Sequence, residues 1–296
     1  LYTDTTEEGR YIYRGAAPNN YIKLDDDMYR IISVESDNTL KVMKNGSIGS
    51  KVFDSGYATS IDGITIANST EGTRYSSIST DYCYASSSSS YYGCKVWGSK
   101  TTTLDTNEKN ITQMPWEVNG VLKDLPEKET YLNTYLNNEW YNNLNNSIQN
   151  LIVSHMFNVG VTGSDETNLL NTITQEQTYK WNGNIGLMNA SDYVKASTNS
   201  TCTSVYAYYR NSSCYNNSDT HNWIFSGPAS KAKSWMITAR SNASYNSVFY
   251  VHENGDIHNE TYDTSNLNGV APAFFLNSNI SLLGTGSSTD PYVVTS

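Results

Sequence analysis

The run Tyr21–Lys44, YIKLDDDMYRIISVESDNTLKVMK, decides the fold class. Apolar side chains alternate with polar ones through YIKL, MYRIISV and TLKVMK, the period of strands that bury one face. Between them stand DDD and SDN, residues whose side chains bond their own backbone in tight turns. Strands joined by such short turns run antiparallel, so residues 1–53 read as an N-terminal β-meander, with YIYRG at 11–15 as an earlier strand.

Outward from this meander the chain changes character. Residues 54–115 are poor in large aliphatics and rich in Ser, Thr, Gly and Tyr, including ASSSSSYYGC, and read as a loop-rich insertion. Residues 116–296 supply helices and a C-terminal sheet. The first helix is predicted to start at a capping box of Asp124 and Glu127 around Pro126. It carries Leu132, Leu136, Trp140, Leu144 and Ile148 at every fourth position. A second helix starts at Ser164 or Asp165 and carries Leu169, Leu170 and Ile173, and a third is capped by Asn189 or Ser191. Beyond Trp223 strands return: Asn254-Gly255 in SVFYVHENGDIHNE predicts a hairpin, because both residues accept positive φ. Strands at both ends around central helices give an α+β fold, and the absence of a linker or repeat gives one domain over 1–296.

Composition narrows the partners. A net charge of −10 repels phosphate backbones, and no Lys/Arg cluster offsets it, so nucleic acid is excluded. No stretch approaches the roughly 18 apolar residues that span a bilayer, so this segment is expected not to insert directly into a membrane. LYTDTTEEGR lacks a basic or apolar leader, which places any anchoring segment outside the chain. The four cysteines fall into two local couples, Cys83 with Cys94 and Cys202 with Cys214. Local disulfides within two loops, and with them an oxidising compartment, are expected; four unpaired thiols are the alternative.

The motifs YIYRGAAPNNYIKL, YRIISVESDNTLKVMKNGSIG, YLNNEWYNNL, NIGLMNASDYV, VFYVHENGDI and GVAPAFFLNSNISLLGTGSSTDPYVV, in that order, cover nearly the whole chain. In this order they resemble a family of domains of unassigned function on surface proteins of gut Firmicutes. The resemblance implies a C-type-lectin-like fold, related to formylglycine-generating enzymes: a mixed sheet, two main helices and long loops, here stapled by disulfides. It also implies display at the bacterial cell surface or on a pilus, and a binding face in the C-terminal strands and loops. The chain departs from the family in having Tyr29 where the family has Trp, and Ala271 where it has Arg.

No common catalytic motif is present: there is no G-x-S-x-G, H-E-x-x-H or phosphate-binding loop. His155, within LIVSHMF, reads as a satisfied, half-buried histidine. The hairpin turn, taken as two residues, pairs His252 with Ile257 and His258 with Val251 and so sets the imidazoles on opposite faces. No metal ligand is assigned; Asp25, Asp26 and Asp27 leave calcium as the one cofactor open, against the plainer reading of a solvated turn. Trp223 and Trp235 read as core anchors. Arg240, Asn242, Tyr245, Asn246, Tyr250 and Tyr262 are the candidate ligand-binding residues, since rings and adaptable amides are the composition of antibody-like recognition surfaces. The expected function is non-enzymatic, extracellular recognition of a glycan or protein. The alternatives are a filament or surface-layer subunit that binds its own copies, and an enzyme of the formylglycine-generating type.

Overall fold

A computed structural model describes residues 1–54, 83–84, 93–99, 102–105, 116–118, 121–123, 129–229, 233–241, 247–258, 264 and 266–295. The Asp124–Glu127 capping box and most of the 54–115 insertion lie outside them. The meander forms as expected. Tyr21–Leu24, Asp27–Val34 and Leu40–Lys44 pair antiparallel, with Leu24 opposite Asp27 across a two-residue turn. Asp25 takes φ of 50° and Asn38 takes 66°. Asp and Asn tolerate this left-handed region, which is why DDD and SDN turn the chain.

The meander is the centre of a ten-stranded sheet. On one side Leu40–Lys44 pairs with Ala273–Leu276, and that strand with Ile152–Val153. On the other, Tyr21–Leu24 takes Tyr292–Thr295 as a parallel neighbour, followed by Ser281–Leu283 at the edge. The first and last strands of the chain thus belong to one sheet. A six-stranded sheet is built on Ser234–Arg240 and Val248–Val251, and a three-stranded sheet on His155–Asn158, Tyr179–Gly183 and Thr103–Asp105. The architecture is mixed α+β, rich in sheet, with short helices. One continuous core runs from Tyr13 to Leu276 and includes the buried indoles of Trp97, Trp181, Trp223 and Trp235.

The first helix departs from expectation. It begins at Tyr131, where Thr130 Oγ1 accepts the Asn133 amide (3.3 Å) and donates to the Trp97 carbonyl (3.2 Å). After one turn it widens to a π-helix over Tyr135–Trp140, tightens to a 3-10 turn over Tyr141–Asn143 and stops at Leu144, which is extended. A strict four-residue apolar spacing explains the widening. In an α-helix each such step overshoots by about 40°, and the stripe winds off the core. A wider turn takes up the excess, so Leu132, Leu136 and, past the break, Ile148 all stay buried while Trp140 still packs on the core.

The second helix, Leu169–Glu176, starts later than expected, capped by Asn168 rather than by Ser164 or Asp165. The third, Ala190–Lys195, carries the capping box of Asn189 with Asp192. Among the described residues three further α-helices were not anticipated: Val205–Arg210, Ser212–Tyr215 and Trp223–Ser226. Each is capped by a polar side chain, Ser204, Asn211 and Asn222 in turn, accepting a first-turn amide.

Candidate functional site

The expected recognition face rests on two strands that are buried almost throughout. Ser234–Arg240 and Val248–Val251 pair antiparallel, and the Ser247 carbonyl accepts the Arg240 amide (3.0 Å). On the far side Ser241 N–H donates to the Thr162 carbonyl (2.8 Å). The chain is therefore fixed at both ends of residues 242–246. Asn242, Tyr245, Asn246 and Tyr262 lie outside the described residues. Arg240 is half-buried, and its carbonyl takes the Lys95 ammonium (2.7 Å).

Tyr250 requires a correction. It is 1% exposed, edge-on to Trp235 (5.8 Å, 80°), with its hydroxyl 2.9 Å from His258 Nδ1. It is a core ring because its strand is buried at every position. Trp223 and Trp235 are the anchors expected: each indole N–H donates to a buried strand-end carbonyl, Tyr13 (2.9 Å) and Lys51 (2.8 Å).

The hairpin register also differs from expectation. Val251 pairs with Ile257 and Tyr250 with His258, and the His252 amide donates to the Asp256 carbonyl (2.9 Å). The loop is thus Glu253–Gly255, one residue longer than the two-residue turn. Only Gly255 among its residues has positive φ, 93°, and a Cβ there would meet Ser218 Oγ at 2.6 Å. The longer loop moves His252 and His258 to the same face, their rings 5.3 Å apart. Among the described residues no three His, Cys, Asp or Glu side chains are grouped to hold a metal. Asp25 accepts Asn145 (2.8 Å) and Ser147, Asp27 pairs with Lys44 (2.6 Å), and Asp26 sits 3.9 Å from Lys23; the three carboxylates point to separate partners.

One loop is covalently closed among the described residues. Cys202 and Cys214 form a disulfide with Cα atoms 5.4 Å apart, tying the Val205–Arg210 and Ser212–Tyr215 helices into one unit. Cys94 is also disulfide-bonded, and strand pairing sets it opposite Cys83. His155 is half-buried, stacked on Phe275 (3.8 Å, 18°) and 3.2 Å from Asp37, as a satisfied histidine should be. Arg30 is buried with no carboxylate partner among the described residues; Tyr21 (3.7 Å) and Trp223 (4.8 Å) cover its guanidinium, and Asn20 Oδ1 takes Nε (2.6 Å). Burial holds its pKa down to about 10, the rings standing where an acid would be.

Sequence reading missed a buried charge network. Arg10 reaches Asp4 (3.1 Å), Glu7 (2.7 Å), Glu35 (3.1 Å) and Asp192 (3.1 Å). Asp192 also takes Lys41 (2.7 Å), and Lys195 takes Asp4 (2.8 Å) and Glu7 (2.6 Å). Of these groups Glu7, Arg10, Glu35, Lys41 and Asp192 border a small, partly open polar cavity of about 50 Å³, lined also by His155, Phe157 and Phe275. Burial opposes charge on Asp192, but Lys41 and Arg10 outweigh it and hold the carboxyl well below the usual range. The arrangement fixes the N-terminal segment against the Ala190–Lys195 helix. Each cation is already matched by carboxylates, so it offers neither a nucleophile nor a vacant charge. Its one advance signal was Asp192, three residues after the Asn189 cap.

Glu176 stands beside this network, wholly buried, its carboxylate accepting the hydroxyls of Ser191 and Thr238 (the latter at 2.7 Å). Burial, with Asp192 nearby, pushes its pKa from 4.5 up to about 7. The native state then binds more protons than the unfolded chain between those values, and stability falls as pH rises through the window. Replacing Glu176 by Gln should remove that slope, worth on the order of 3 kcal/mol in total. His221, held below its ordinary 6.5 by burial, acts with the opposite sign in an overlapping range. The test is therefore the difference between variant and wild-type denaturant midpoints from pH 5 to 7.5; a constant difference contradicts the assignment.

No family model, curated protein or solved structure matches the chain. Among the described residues no helix is long and apolar enough to cross a membrane.

Proposed function

We propose that this chain is an extracellular, non-enzymatic recognition domain of a bacterial surface or pilus protein, whose ligand is a glycan or another protein. The single observation that carries this reading is the framing of residues 242–246. Two buried strands hold both ends of a segment that contributes Asn242, Tyr245 and Asn246, beside Arg240 at the strand end. A rigid frame lowers the entropy lost when such side chains engage a ligand. The Cys202–Cys214 disulfide suits an oxidising compartment. It also occupies both thiols that formylglycine-type chemistry would need, which weighs against that alternative.

The test is a glycan array and a panel of matrix proteins, probed with wild type and with an Asn242→Ala/Tyr245→Ala/Asn246→Ala variant. We expect a wild-type ligand whose affinity falls about 30-fold or more in the variant with its melting temperature unchanged, the scale of a lost hot spot. Silence on both panels, or a variant that binds equally well, contradicts the proposal. A subunit that assembles with its own copies is the second reading, favoured by the sheet edge, where Leu283 and Val293 are exposed on neighbouring strands. It requires assembly that grows with concentration in light scattering.

A further inference from the structure

An open cleft of about 560 Å³ lies between the chain start, residues 13–19 and the last turn. Arg14, Tyr2, Tyr13, Tyr292 and Asn19 line it. Arg14 donates Nε (2.9 Å) and Nη2 (2.7 Å) to the Ser197 carbonyl, which locks the guanidinium plane. Nη1 takes no part in these bonds, and among the described residues Arg14 has no ion pair. In a chain of net charge −10, this is a fixed cation without a counter-charge.

The aromatic part lies beside this cation. Arg14 lies over the Tyr2 ring (5.8 Å), which is half exposed, and Tyr13 and Tyr292 line the same cleft. Gly286, with φ of 73°, lets its turn close on the Tyr292 ring; a Cβ there would stand 2.4 Å from a ring carbon. Asn19 presents an exposed amide.

We propose that this cleft binds a saccharide that carries a carboxylate, of the uronic-acid type. The sugar's C–H face stacks on the Tyr2 and Tyr292 rings, its carboxylate meets the Arg14 guanidinium, and its hydroxyls exchange hydrogen bonds with Asn19. A phosphate or nucleic acid would meet the same guanidinium, but the overall negative charge and the absence of a second cationic side chain among the described residues lining the cleft disfavour polyanions. The inference rests on the recognition reading above and assigns it a second, separate site.

The test measures binding of the methyl glycoside of galacturonic acid, which carries a single carboxylate, and of its methyl ester, which keeps the ring and removes the charge. Wild type should bind the acid at least about tenfold more tightly than the ester. Arg14→Gln should lose that preference and Arg14→Lys retain part of it. Tyr2→Ala, at an exposed position that leaves folding intact, should weaken both ligands alike. Equal affinity of wild type for acid and ester overturns the proposal, as does binding of neither, or a preference that survives Arg14→Gln. The Asn242/Tyr245/Asn246 variant separates the two readings. Saccharide binding lost there and kept in Arg14→Gln overturns the cleft and leaves the first site standing.

Discussion

Replacing Asp192 by Ala should cost about 3–5 kcal/mol of folding stability, the range for removing one partner from a buried ion pair. Asp192 accepts Arg10 and Lys41, both buried, and through Oδ2 also the Asn189 amide (2.9 Å) that opens the Ala190–Lys195 helix. Its loss leaves Arg10 with three carboxylates but Lys41 with the Asn189 carboxamide (3.2 Å) as its one hydrogen-bond partner among the described residues, so the uncompensated charge falls on Lys41. A Lys41→Met change in the Asp192→Ala background should therefore recover part of the loss, which a mere packing defect would not allow. Urea titration of the two variants decides it. A loss below about 1 kcal/mol would show that water in the adjoining cavity solvates Lys41 and that the network does not organise the N-terminal segment.

Trp235→Ala should be comparably severe, at about 3–5 kcal/mol. The indole lies against Phe53 (5.6 Å, 65°) and Tyr250 (5.8 Å, 80°) and donates to the Lys51 carbonyl. It joins the end of the N-terminal segment 1–53 to the strands Ser234–Arg240 and Val248–Val251. The cavity left by its removal cannot be filled by either neighbour, since both are themselves packed on all sides. Trp235→Phe keeps most of the area, loses the hydrogen bond and should cost roughly half as much. A calorimetric trace that stays a single transition at lower temperature is expected. Two separated transitions would mean that the two sheets do not share one core.

What could be read in advance was local. Asp25 and Asn38 sit where DDD and SDN placed turns, and the Asn189 cap stands where NASDYV placed it. The first helix misled because its four-residue spacing is nearly, but not quite, an α-helical period, and the structure resolves the mismatch with a π-turn. The histidine pair was misplaced by a single residue of loop length, which in a strand is enough to exchange faces. Tyr250 was misread because a tyrosine in a Tyr/Asn/Ser run gives no sign of whether both faces of its strand are covered. The charge network was invisible for a different reason: Arg10 and Asp192 lie 182 positions apart, and their meeting is a property of the finished fold. Of the candidate site, the anchors Trp223 and Trp235 and the closing of the Cys202–Cys214 loop were legible. Arg14 was not, because an isolated arginine shows its lack of a counter-charge only once its neighbours are in place.

The most direct test of recognition without transformation is to saturate the wild-type protein with whichever array ligand it binds, hold the complex for many hours, and weigh the recovered ligand by mass spectrometry. Full recovery at unchanged mass is the predicted result. A ligand returned cleaved, oxidised or otherwise altered, at a rate that tracks protein concentration, would contradict it.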